Sequence, residues 1–93
     1  FQLAFITALY CIKNPFFNYQ CARDYLEKSE KIKSDDWRIP ASRAVIAYLE
    51  DNINEAERLY ILANELHGSP ISDQESLKIP YLSHLEKRLK QVQ

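Results

Sequence analysis

Residues 44–66, AVIAYLEDNINEAERLYILANEL, constrain the fold more than any other stretch of the chain. Apolar side chains recur three and four positions apart on both sides of a short polar break at residues 51–54. That period belongs to an α-helix with one face turned to a core. Two such runs joined by a brief polar turn make a helical hairpin. An isolated hairpin of this length has only half a core, so the rest of the chain must supply helices that cover it.

Composition agrees with an all-α fold. One glycine in 93 residues is too few for a protein rich in β-turns, which needs glycine at positive-φ positions. Hydrophobic residues make up 46% and charged residues 27%, the balance of one small globular domain. The net charge is −1, with acids and bases interspersed. A nucleic-acid partner would need clustered Lys and Arg, so none is expected. The longest apolar run, residues 1–12, is too short to span a bilayer. It also lacks the basic start and small-residue cleavage site of a secretory signal. No membrane span is expected, and the compartment stays open. A chain that starts at Phe1 and holds no Met reads as a fragment or processed product of a longer protein.

The period yields about five helices. The first, residues 1–13, is apolar around nearly its whole circumference and should be buried on more than one side. One neighbour is the second helix. The other would be a partner, a second copy or a further segment. Asn14 before Pro15 ends the helix. Cys11 and Cys21 fall near the closed end of this first hairpin. Their residue type favours two small core side chains, and their spacing also permits a bridge.

The second helix, residues 17–33, carries the stripe Ala22, Tyr25, Leu26, Ser29 and Ile32, with a charged opposite face. Trp37 follows in a loop, as a plug between hairpins or as an exposed binding aromatic. The third helix, residues 40–50, starts on Pro40 and has Ala41, Ala44, Val45 and Tyr48 on one face. Asn54 is expected to cap the fourth helix, residues 55–67, and Gly68 to stop it. His67 reads as a solvated residue at the negative helix end. Ser72 to Glu75 spells a capping box, and a last helix runs from Pro80 with Leu82, Leu85, Leu89 and Val92 in one stripe.

The two hairpins echo each other. Ala22, Leu26 and Ser29 match Ala56, Tyr60 and Ala63, each at an offset of 34 residues. The small–large–small pattern with that period resembles the tetratricopeptide repeat over residues 3–68. The first-helix positions of the family are only partly met, by Ala8 and Ala44. The resemblance implies a short right-handed solenoid of two hairpins, residues 1–34 and 35–68, with 69–93 as a capping segment. Ala22, Leu26, Ser29, Ala56, Tyr60 and Ala63 would be its packing positions. It further implies a concave face, lined by the first helix of each pair, that takes a peptide or helix of a partner protein. That face would carry Gln2, Ser42, Arg43, Ile46 and Ala47, with Tyr81 and His84 near its end. Family members that grip a C-terminal carboxylate use Lys and Asn on the first helices. Helix one has neither before Lys13, so that mode is not expected.

Catalysis is not expected either. His67 and His84 stand far apart, and there is no HExxH, CxxC or glycine-rich phosphate loop. The adjacent acids Asp35 and Asp36, and Glu50 and Asp51, fall at helix ends, where capping accounts for them. No catalytic residue, metal or cofactor is expected. Two functions of different class follow. One is an adaptor that binds a protein or peptide on the concave face, which Arg43→Glu would abolish. The other is an assembly module of a larger regulator or secretion-type complex. It would self-associate or dock through helix one, where Phe5→Asp would break the contact.

Overall fold

The computed structural model describes residues 2–12 and 18–92. Every regular element among them is an α-helix. These are α1 (Gln2–Ile12), α2 (Tyr19–Ile32), α3 (Arg38–Leu49), α4 (Ile53–His67), α5 (Asp73–Ser76) and α6 (Leu82–Val92). The capping-box turn stands as its own one-turn helix, α5, ahead of the last helix. α1 pairs with α2, and α3 with α4. α3 touches α1, α2, α4 and α6, so it is the axis of the fold.

The side chains of α3 explain that position. Ile39, Pro40, Ala41, Ser42, Ala44, Val45, Ile46 and Ala47 are all buried. At about 3.6 residues per turn these eight point in every direction around the helix. Only Arg43 interrupts the run, and it keeps part of its side chain in water. Four of the eight are Ala or Ser, short enough for neighbouring helices to come close. The Ser42 hydroxyl donates to the Arg38 carbonyl at 2.8 Å, and Ser29 in α2 donates to the Tyr25 carbonyl at 2.9 Å. These two buried hydroxyls are thus satisfied within their own helices.

The sequence pattern predicts burial of helix one on more than one side, and within this chain one side is covered. α1 buries one stripe, Phe5, Ala8 and Ile12. The helix that buries side chains around its circumference is α3.

The ends of the helices are set by local chemistry. Asn18 caps α2 by accepting from the Cys21 amide at 3.0 Å. α4 begins two residues before the expected place. Asn52, not Asn54, is its cap, accepting from the Glu55 amide at 3.3 Å. Asp51 at φ 63° turns the chain sharply enough to place Asn52 there. Gly68 at φ 84° closes α4 in the left-handed conformation and donates to the Asn64 and Glu65 carbonyls. Pro40 is the third residue of α3, still in the first turn, where its missing N–H is not needed. α6 starts at Leu82, after Tyr81 at φ 65°, and buries Leu82, Leu85 and Leu89. The expected start of the second helix at Phe17, the Asn14–Pro15 stop and the Val92 side chain lie outside the described residues.

Cys11 and Cys21 are joined in a disulfide, with their Cα atoms 6.0 Å apart. The bridge ties the end of α1 to the first turn of α2. Trp37 packs half-buried against the core, edge-on to the His67 ring at 5.1 Å. Of the two expected roles, its half-burial agrees with packing.

The bridge closes a loop of 10 residues in the unfolded chain. A loop of that size removes about 2–3 kcal/mol of chain entropy from the unfolded state. Cys21→Ser should therefore lower the unfolding free energy by about that amount. Urea denaturation followed by circular dichroism checks it, and an unchanged midpoint would show that the bridge adds nothing.

Candidate functional site

Two surfaces are built by the helices, and they differ in chemistry. The first is the outer side of α1. Its sequence, QLAFITALYCI, contains no charged residue. Phe5, Ala8 and Ile12 point inward, against α2 and α3. Leu3, Ile6 and Tyr10 have the same three-then-four spacing and point outward, at 83%, 40% and 59% exposure. Thr7 sits among them and turns its hydroxyl back to the Leu3 carbonyl at 2.8 Å. The stripe runs into an apolar cleft of about 250 Å³ beside the disulfide, lined by Thr7, Tyr10, Cys11, Asn18 and Cys21.

The second surface is a groove of about 680 Å³ between α2 and α4, floored by α3. Ile46, Ala47 and Leu59 lie along its bottom. Three arginines stand over it, each facing an acid. Arg43 donates to both oxygens of Glu30 at 3.0 and 3.3 Å, and Arg58 to both oxygens of Glu55 at 3.0 and 2.5 Å. Arg23 pairs with Glu50. All three pairs are partly exposed, so each contributes little to stability. Their effect is to leave the groove with paired, not free, cations.

The residues expected on the concave face do not share one surface. Arg43, Ile46 and Ala47 line the groove. Ile46 and Ala47 are buried in its floor, and Ser42 is fully buried with its hydroxyl bound in its own helix. Tyr81 and His84 lie by the start of α6, outside the groove lining, with ring centroids 5.8 Å apart. The Gln2 side chain lies outside the described residues. The packing positions Ala22, Leu26, Ser29, Ala56 and Ala63 are fully buried. Tyr60 is half-buried and donates its hydroxyl to Glu86 at 2.5 Å, a direct tie from α4 to α6. Burial, then the Glu86 carboxylate, push the Tyr60 phenol well above its ordinary range.

A third cluster has no counterpart in the sequence pattern. His67 is not a solvated end residue, since its side chain is 15% exposed and Nε2 lies 2.7 Å from a Glu75 oxygen. The capping box is legible, but nothing in its spacing says that the second Glu75 oxygen faces a histidine on the preceding helix. Close by, Asp36 binds Arg38 at 2.9 and 2.7 Å. Burial pushes the Asp36 carboxyl up, and the Arg38 hydrogen bonds outweigh it, leaving the carboxyl below its usual range.

Among the described residues, no three His, Cys, Asp or Glu side chains are placed to hold a metal ion. No helix among them is long and apolar enough to cross a membrane. No family model matches the chain, and neither the curated proteins nor the solved structures contain a match.

Tyr60→Phe keeps the ring and removes the tie to Glu86. The half-exposed site puts the loss at about 1 kcal/mol. Hydrogen exchange should show α6 amides less protected while α2 amides are unchanged, and equal protection in both proteins would contradict a tie between α4 and α6.

Proposed function

We propose that this chain is a non-catalytic protein-interaction module, a stack of helical hairpins similar to the tetratricopeptide repeat, that docks a partner protein on the outer face of α1. One observation carries the reading. Leu3 and Ile6, at 83% and 40% exposure, put apolar surface in water on a helix without a charge, while Phe5, Ala8 and Ile12 of the same helix are used by the core. Side chains at this spacing suit insertion into a hydrophobic groove of a partner, with Tyr10 as the aromatic anchor. The likeness to the repeat family is supported by burial at both copies of the small positions, Ala22 and Ser29 in α2 and Ala56 and Ala63 in α4.

A second reading, binding in the groove over α3, is favoured by the meeting of Arg43, Ile46 and Ala47 there. In that reading a ligand must compete with Glu30 for Arg43.

Paired substitutions separate the two. Phe5 is unsuitable, because it is buried at 4% exposure and Phe5→Asp would unfold the domain. Ile6→Asp places a charge in the exposed stripe and spares the core. It should reduce capture of the partner, or self-association in sedimentation, by at least about tenfold, the loss expected when a charge enters an apolar contact. Arg43→Glu should leave both unchanged. The opposite pattern would move the site to the groove, and a wild-type result from Ile6→Asp would end the α1 reading.

A further inference from the structure

His67 stands where two acceptors meet. Its Nδ1 is 2.9 Å from the Ser69 carbonyl, and its Nε2 is 2.7 Å from Glu75 Oε2. A neutral imidazole has one N–H and can serve only one of them, setting a lone pair against the other. An imidazolium donates to both. We propose that His67 is held as an imidazolium and acts as a proton-operated latch, fastening residues 69–76 to the end of α4 and loosening them when the proton leaves.

The latch has several parts. Glu75 accepts from the Ser72 amide and hydroxyl through Oε1, at 3.2 and 2.9 Å, while Oε2 takes the His67 proton. One carboxylate thus holds the cap of α5 and the end of α4 together. The Ile71 amide donates to Asn64 Oδ1 at 3.3 Å, and Ile71 itself is buried. Trp37 closes the other side of the ring, edge-on at 5.1 Å. When His67 is neutral, the Ser69 hydroxyl, 3.1 Å from Nδ1, becomes a competing donor and the Ser69 carbonyl loses its own. The latch works in the same way whichever surface binds a partner.

Other charges surround the cluster. Lys33, Asp35, Asp36 and Arg38 come from the loop before α3 and its first residue. Lys78 follows α5 and lines the same cleft as Glu75 and Trp37. Asp36 is engaged by Arg38, and by Lys33 at 3.8 Å. Glu75 is therefore the acid that faces the ring. The hydrogen bond to Glu75 raises the His67 pKa above 6.5, and the bond from His67, followed by those from Ser72, holds Glu75 down to about 2.

These directions set the sign of the pH dependence. The His67 contribution is complete below pH 6.5 and decays as pH rises through the higher folded value. The Glu75 contribution is complete above pH 4.5 and is lost as pH falls toward 2. The latch is strongest between those limits and weakens on the alkaline side. Each unit by which His67 titrates above its ordinary value biases the closed form by about tenfold.

The test is a pH titration of the whole chain by NMR and fluorescence. The chain has two histidines and one tryptophan, so the signals separate, with His67 assigned by the loss of its resonance in His67→Gln. The expected midpoint for His67 lies above 6.5. Trp37 emission should change through the same midpoint, and Ile71 amide protection should fall there. Glu75→Gln keeps a side chain that a capping box accepts and removes only the charge. It should return the His67 midpoint to 6.5 or below and abolish the Trp37 transition near the wild-type midpoint. A wild-type midpoint at or below 6.5 would overturn the imidazolium. A raised midpoint with flat Trp37 emission and unchanged Ile71 protection would overturn the latch. If His67→Gln fails to fold, wild type and Glu75→Gln decide the matter.

Discussion

Ala41, Ala44, Val45 and Ala47 occupy the centre of the fold, and the shortness of those side chains lets several helices share one axis. A helix of large residues would hold its neighbours further apart and leave gaps between them. Here α1 and α2 approach from one side, α4 lies alongside, and α6 closes the remaining exposure. Each surrounding helix then needs only one apolar stripe. Leu82, Leu85 and Leu89 suffice for α6, and Ala22 and Leu26 with Ser29 for α2. The thin core of a small domain is made adequate by directing it at one helix.

The functional surfaces follow from that arrangement. Between Ile39 and Ala47, α3 meets solvent chiefly through Arg43, at the floor of the groove between α2 and α4. α1 meets its neighbours with one stripe and keeps the apolar surface of Leu3 and Ile6 in water. The groove over α3 is lined instead by arginines already matched to acids. An apolar surface loses little on docking, whereas paired charges must first be separated and desolvated. That difference is why α1 is favoured over the groove.

Much of the fold is legible in the sequence, and the failures have physical causes. The helix count, the Gly68 stop and the capping box at Ser72 and Glu75 each depend on local chemistry that the residue types state directly. The cap of α4 moves from Asn54 to Asn52 because two asparagines of equal capping ability stand two residues apart, and the turn at Asp51 decides between them. Which stripe of helix one faces the core, and how far α3 is buried, have a different origin. In α1 the stripes Phe5, Ala8, Ile12 and Leu3, Ile6, Tyr10 have identical spacing, so no period can say which faces the core. In α3, Ser42 and the alanines are neutral in hydropathy, and their burial becomes visible only once the neighbours are in place. The pairing of Cys11 with Cys21 and the meeting of His67 with Glu75 likewise depend on how helices and their connecting segments are brought together, not on local pattern.

If α3 is the common core of the domain, native-state hydrogen exchange measured residue by residue shows it most directly. Amides of residues 44–47 should be the last to exchange, opening only with global unfolding, while those of α1 and α6 exchange through smaller openings. Earlier exchange in α3 than in α1 or α6 would contradict this, because a helix packed between its neighbours cannot open before them.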